Sequence, residues 1–341
     1  MEYKIGLIGC GTVGQGLLEI LSTRKDHLRD VFDFEPRLVA VTDKLKGSAV
    51  DPEGLDIPSL LETLKNGGKI SEDSREPLDM IEQVEADIIA EITYTDIRTA
   101  EPATSYIKKA LRTGKHVVTS NKGPAALHYR ELADLAAKNR IHFRIEGTVM
   151  SGTPVFNLFE GGLAGNRVLE VRGILNGTTN FILSKMEDEG MDYAPALKLA
   201  QDAGYAEADP TADVEGHDAL AKIVILSNVI LGGDLKIDDV DCEGISKITR
   251  EAVAAAKAEG FRYKLIARAK KENGRVTAGV SPVKLPLSDP LTGVMGARNA
   301  LTVETDILGQ VTIQGAGAGR LETGFSLLSD MLTIHRCPVS K

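Results

Sequence analysis

Along the first 145 residues, apolar runs alternate with stripes of apolar residues at helical spacing. Residues 3–8 (YKIGLI), 37–42 (RLVAVT), 86–92 (ADIIAEI), 115–119 (KHVVT) and 141–145 read as short buried strands. Between them, Val13, Leu17, Leu18 and Leu21 mark one helix, residues 103–112 a second, and Leu127, Leu132 and Leu135 a third. Strands that alternate with helices predict a parallel, doubly wound sheet. Residues 47–76 interrupt the rhythm as a polar, glycine-bearing insertion with one short helical patch at 60–64 and no visible chemistry.

The second half has a different beat. A strand over 167–175 runs into Asn176-Gly177-Thr178-Thr179-Asn180, whose small polar side chains suit a helix start. A helix stopped by Gly204 follows, then an acidic loop, and a new helix from about Glu215. Over 219–231 that helix is apolar on nearly every face, the mark of burial in a sizeable domain. A polar helix at 252–259 precedes strands at 263–269, 276–282, 301–305 and 310–314, which suggest a second, mixed sheet. The chain then returns to glycine at 315–319 and ends in a helix through Leu327, Leu328 and Leu332. The predicted class is α/β: a Rossmann-type doubly wound parallel sheet plus a second α+β domain with a mixed sheet. The expected division puts residues 1–146 and 315–341 in a dinucleotide-binding domain and 147–314 in a substrate-binding and dimerisation domain.

At 341 residues the chain is long enough for two cores, and 43% hydrophobic with 26% charged content is that of a soluble globular protein. A net charge of -9 with no basic run argues against nucleic acid. Cys10, Cys242 and Cys337 lack metal spacing and fit a reduced, cytoplasmic setting. Neither a signal peptide nor a run of membrane-spanning length is present, so no membrane partner is expected.

Candidate chemistry starts at Gly9-Cys10-Gly11-Thr12-Val13-Gly14, between the first strand and the first helix. Gly9 permits a tight turn, Gly11 lets backbone approach a pyrophosphate, and Gly14 lets helix and strand pack closely. The helix start then offers N–H groups to phosphate. Asp43, at the end of the second strand, is placed to accept from a ribose 2′-hydroxyl as in NAD, whereas Lys44 and Lys46 could meet the 2′-phosphate of NADP. Thr93, Ser120, Asn121 and Lys122 follow strand ends, where such sheets bind ligands; Lys122 in a turn also reads as a solvent lysine. Residues 146–154 (EGTVMSGTP) offer backbone groups to a ligand or hard cation, or form a plain crossover. Gly317 lies in a second glycine loop, which reads as a return to the cofactor or as a hinge.

The densest cluster is 200–222, AQDAGYAEADPTADVEGHDALAK. Asp202, Glu207, Asp209, Asp213, Glu215 and Asp218 face a single lysine, Lys222. Asp218 and Lys222, four apart, share a face of the apolar helix, where charges must be paired or chemically active. A dinucleotide site, clustered carboxylates, one lysine and an anion-binding helix start together suit hydride transfer on a small amino-acid aldehyde or keto acid.

The stretch 200–222 resembles the signature of homoserine dehydrogenases, and GCGTVG at 9–14, TSNKGP at 119–124, EGTVMSGTP at 146–154, GILNGTTN at 173–180 and GAGAG at 315–319 occur in that family's order. The resemblance implies NAD(P)-dependent interconversion of L-aspartate 4-semialdehyde and L-homoserine. It implies Lys222 as acid/base, oriented by Asp218, with Lys122 near the nicotinamide. Glu207 is then expected to hold the substrate ammonium, Asp213 to line the pocket, and Gly177 and Thr178 to meet the substrate through backbone groups. The family's sodium ion implies carbonyl ligands at Glu146, Val149, Ser151 and Thr153, and its usual assembly implies a homodimer. Soon after 319 the chain ends, so neither an ACT domain nor a fused aspartate kinase is expected. Alternatives at this point are an aspartate dehydrogenase-like enzyme and a non-catalytic nucleotide sensor.

Overall fold

The computed structural model describes residues 1–73 and 75–337. They form two compact units, Met1–Asn157 with the chain from Ala318 onward, and Leu158–Gly317.

The first unit is built on strands β1 (Glu2–Ile8), β2 (Glu35–Asp43), β3 (Gly47–Val50), β4 (Ile88–Glu91), β5 (His116–Thr119) and β6 (Phe143–Arg144). Their order in the sheet is β3-β2-β1-β4-β5-β6. β1 pairs parallel with β2 and β4, β4 with β5, and β5 with β6. β3 folds back antiparallel on β2. It corrects the reading of 47–76 as insertion alone: the side chains of GSAV are too small to carry an apolar signal, and backbone pairing specifies it instead.

Both faces of this sheet are covered. On one, Leu17, Leu18 and Leu21 of helix Thr12–Thr23 and Leu327, Leu328 and Met331 of helix Arg320–Arg336 pack over Ile5 and Leu7. On the other, Met80, Ile107, Leu111 and Leu132 pack over Ile8, Ile89 and Val117. Close contact between the first and last helices needs glycine: a Cβ on Gly16 would lie 2.1 Å from the Arg320 carbonyl oxygen, and one on Gly324 would lie 2.6 Å from the Leu17 nitrogen.

The first unit runs past 146 because Glu146 ties the following loop down. Its carboxylate accepts from the backbone N–H groups of Val155 (2.6 Å), Phe156 (3.1 Å) and Asn157 (2.7 Å). Buried Asp330, on the last helix, accepts from the Glu146 N–H at 2.8 Å and from Arg144 at 3.2 Å. Residues 147–157 therefore belong with the first unit, whereas Gly315, Ala316 and Gly317 belong with the second.

The second unit's sheet consists of β7 (Val168–Ile174), β8 (Asp241–Cys242), β9 (Phe261–Glu272), β10 (Arg275–Pro286), β11 (Arg298–Thr305) and β12 (Gly309–Ala316). Their order is β12-β11-β7-β9-β10-β8, antiparallel throughout except where β8 joins β10. Helices Gly177–Glu189, His217–Val229 and Arg250–Ala258 pack on these strands. In register across β7, β9 and β11, Glu170, Lys270 and Glu304 sit beside Arg172, Arg268 and Thr302 on one polar face. The α/β reading, with a parallel-dominated sheet and a second mixed one, is borne out.

Candidate active site

Helix His217–Val229 is buried from Ala219 through Ser227. Lys222 lies inside that stretch, 7% exposed, where an ammonium must be paired. Its Nζ donates to the Leu175 carbonyl and to Asp218 Oδ2, both at 2.7 Å. Leu175 immediately follows β7, so the strand end and the helix meet at this lysine.

Asp218 connects to a second carboxylate through an amide. Asn176 Nδ2 donates to Asp218 Oδ2 at 3.0 Å and to Asp213 Oδ1 at 2.6 Å. Thr178 Oγ1 shares its one proton between the Tyr205 carbonyl at 2.6 Å and Asp213 Oδ2 at 3.2 Å. Burial pushes the Asp213 carboxyl above its usual range, and the Asp218 charge adds to this; the bonds from Asn176 and Thr178 and the Lys222 charge oppose it. Five residues from two distant stretches of the chain, 176–178 and 213–222, thus form one hydrogen-bonded line.

Of the expected substrate residues, Asp213 and Thr178 join this line and Glu207 does not. The Glu207 side chain is exposed, and its carbonyl accepts from Gln201. Gly177 opens its helix under close packing, since a Cβ there would lie 2.7 Å from the Ala297 carbonyl oxygen. Asn176 itself was legible only as a helix start; its second use, toward two carboxylates, leaves no mark in local pattern.

In the first unit, Gly9 has φ 91°, and a Cβ would lie 2.4 Å from the Ile92 oxygen. A Cβ on Gly14 would lie 2.5 Å from the Gly9 oxygen. Around Gly11 a Cβ would meet nothing within 4 Å, so that side of the turn opens to a ligand. Thr12 and half-buried Val13 begin the helix there. Asp43 accepts from the Cys10 N–H at 2.8 Å, which joins the end of β2 to the glycine turn. Lys46 donates to the Cys10 carbonyl at 2.6 Å, while Lys44 is exposed. This geometry fits a dinucleotide: open backbone for the phosphates and an acid beside it for a ribose.

Sequence pattern did not single out Glu91, which is buried at the end of β4. Thr93 donates to it through N–H and hydroxyl, and Thr119 donates at 3.0 Å. Burial pushes its carboxyl up against these bonds. Asn121 donates to the Thr93 and Tyr94 carbonyls and caps helix Lys122–Leu127 by accepting from Gly123. Thr93, Asn121 and Lys122 therefore share one loop cluster, and Ser120 packs where a Cβ on Gly147 would fall. An acid inside ADIIAEI was the available signal for Glu91. Gly317 belongs to the second unit, where a Cβ on it would lie 2.3 Å from the Asn299 side chain.

Comparison with known proteins decides what this arrangement belongs to. The family model "Homoserine dehydrogenase" matches residues 154–332, and "Homoserine dehydrogenase, NAD binding domain" matches 9–146. The chain belongs to the homoserine dehydrogenase family. It is 43% identical to an NAD(+)-dependent homoserine dehydrogenase of Pseudomonas canavaninivorans, over 100% of this chain and 98% of that one. It is also 43% identical to a homoserine dehydrogenase of Methanocaldococcus jannaschii, over 96% and 97%. The crystal structure of a homoserine dehydrogenase from Thiobacillus denitrificans superposes with a TM-score of 0.86 at 34% identity, covering 99% of this chain and 74% of that one. The homoserine dehydrogenase NAD-binding match ends at Glu146, the residue whose carboxylate ties down the next loop. Among the described residues no helix is long and apolar enough to cross a membrane.

Proposed function

We propose that this chain interconverts L-homoserine and L-aspartate 4-semialdehyde with NAD, Lys222 holding the proton at the reacting oxygen. One observation carries the reading: the Lys222 ammonium, buried, spends two of its three N–H groups on Leu175 and Asp218, leaving the third for a substrate oxygen. Bound nicotinamide supplies or takes the hydride at the substrate carbon. In reduction, Lys222 donates a proton to the oxygen as charge builds there; in oxidation it takes the proton back. Asp218 keeps the ammonium aimed. Asp213 and Thr178 line the same pocket, and the N–H groups at Gly177 and Thr178 receive the substrate carboxylate. The exposed Glu207 carboxylate closes on the substrate ammonium, and Lys122 assists at the nicotinamide end.

In this reading Gly9, Gly11, Thr12, Val13 and Gly14 hold the pyrophosphate, with Thr93, Ser120 and Asn121 beside the nicotinamide. NAD is favoured over NADP because Asp43 stands at the glycine turn and Lys46 is tied to Cys10, leaving Lys44 to face a 2′-phosphate. The carbonyls of Glu146, Val149, Ser151 and Thr153 suit a sodium ion. The Glu146 carboxylate is taken by three N–H groups, so only its carbonyl would serve, and left-handed Met150 and Ser151 (φ 57° and 51°) fold the loop sharply. A homodimer through the second sheet, in the cytoplasm, completes the reading.

Homoserine oxidation measured with NAD and NADP side by side tests it, together with Lys222→Ala. That variant should lose at least ~100-fold in kcat while NAD still binds, the scale of a lost acid/base. Near-normal turnover would remove Lys222 from the reaction.

A further inference from the structure

We infer that Asn176 is a positioning residue for proton transfer: its single amide clamps Asp213 and Asp218 side by side so that Asp218 holds Lys222. This deepens the reading above and rests on it.

The orientation of the amide follows from its neighbours. Asn176 Oδ1 accepts from the Thr179 N–H at 2.9 Å and from the Thr179 hydroxyl at 3.0 Å. Its Nδ2 must therefore face the other way, where both partners are carboxylates, at 2.6 and 3.0 Å. An NH2 group has two protons, and both are used. The residue is 4% exposed, so water cannot readily take over either bond.

Two carboxylates held this close resist being ionised together unless donors lie between them. The charged groups acting on Asp213 are Asp218, which favours its protonation, and Lys222, which opposes it; Asn176 and Thr178 supply the neutral bonds. Without the Asn176 donor, Asp213 would take up a proton and turn its own O–H toward Asp218. Asp218 would then divide its oxygens between that O–H and the ammonium, and the lysine would lose its fixed aim. Thr178 and Tyr205 secure the far end of the line, so the disturbance would fall on the Lys222 side.

A residue that merely caps helix Gly177–Glu189 behaves differently. Serine is as good a cap as asparagine but cannot donate to two carboxylates at once. Asn176→Ser in the full chain therefore separates the two roles, and Asn176→Asp, which keeps shape and cap but replaces the donor by a third carboxylate, repeats the test should the serine variant fail to fold. Reduction of L-aspartate 4-semialdehyde, in which Lys222 starts protonated and the acid limb belongs to the carboxylates, is followed across about pH 5–9, with NAD affinity and thermal midpoint measured alongside. For Asn176→Ser we expect kcat at neutral pH to fall about tenfold, the acid limb of kcat/KM to move up by about one pH unit, and NAD affinity to stay within about twofold. For Asn176→Asp the limb should move further. An acid limb that stays in place with kcat within about twofold of the parent overturns the inference. Lys222→Ala in parallel separates the failures: if it is inactive while the Asn176 variants are unmoved, the acid/base reading stands and only this inference falls. If Lys222→Ala turns over normally, both fall.

Discussion

Gly11 ends β1's turn with φ -76° and ψ -156°, angles that alanine adopts without strain, and a Cβ there would meet nothing within 4 Å. The fold gives it no reason to be glycine; a ligand pressed against the backbone does. Gly11→Ala should therefore leave stability within about 1 kcal/mol, because reduced freedom in the unfolded chain and a poorer helix cap are small and opposed. NAD affinity should fall at least ~10-fold, since a methyl would stand where phosphate approaches. Isothermal titration with NAD and a denaturation curve measure the two effects separately. Gly14→Ala is the control: its Cβ would lie 2.5 Å from the Gly9 oxygen, so it should lose stability first. Unchanged NAD affinity in Gly11→Ala would remove the phosphates from this turn. At this scale the sequence was legible wherever a residue's neighbours are local. Asp218 and Lys222 are one helical turn apart and were readable; Asn176 reaches across to Asp213 and Asp218, and no periodicity records that.

Among the elements, β6 shows how one side chain trims a strand. The alternating stretch 141–145 (IHFRI) predicts five residues of strand, yet pairing covers Phe143–Arg144 alone. The His142 N–H leaves the ladder to donate to His116 Nδ1 at 3.0 Å, while its carbonyl still accepts from Val117 at 2.9 Å. His116 must be neutral to accept that bond. Burial, with the His142 ring beside it, pushes its pKa down to about 4 from the usual 6.5, and Asp87 opposes this. Between those two values the unfolded chain binds the proton and the folded chain does not. The stability this group contributes is complete above about pH 6.5 and is lost as pH falls toward 4. His116→Asn keeps an acceptor near the same place and cannot titrate. Its thermal midpoint should rise relative to the parent as pH is lowered through that window, in buffer-matched calorimetry; a constant difference would mean His116 is not held neutral. The same long-range bonding explains why the first unit runs on to Asn157. EGTVMSGTP looks like a crossover of small residues, and what holds it is Glu146 bonding forward to 155–157 and Asp330 bonding back to Glu146. β8, two residues long, and β3, whose GSAV is small and half polar, likewise leave no hydrophobic rhythm to register.

For the whole molecule, the consequential feature is that the first unit is discontinuous: the chain leaves it at Asn157 and re-enters at Ala318. The alternation of strand and helix was enough to read two sheets, because buried strands and apolar helix stripes carry their signal locally. The returning helix was visible as Leu327, Leu328 and Leu332, but its partner was not. Contact with helix Thr12–Thr23 depends on Gly16 and Gly324 meeting across more than three hundred positions of chain. Leu327, Leu328, Met331, Leu332 and Ile334 all enter the core over β1. At roughly 1.5–3 kcal/mol for each buried side chain, they amount to about as much as the 5–15 kcal/mol that typically separates folded from unfolded domains. Removing them leaves no margin. A chain ended after Gly317 should therefore lose the first unit's fold while the second unit, whose whole sheet lies within Leu158–Gly317, stays folded. Near-saturating NAD should raise the thermal midpoint of the full chain and leave that of the truncated chain unmoved, since a ligand stabilises only the state that binds it. Circular dichroism would still report the second unit's strands and helices. A truncated chain that kept an NAD-dependent midpoint would mean that the six strands and the helices before Asn157 suffice for the nucleotide site, and that the last helix merely covers a core already complete.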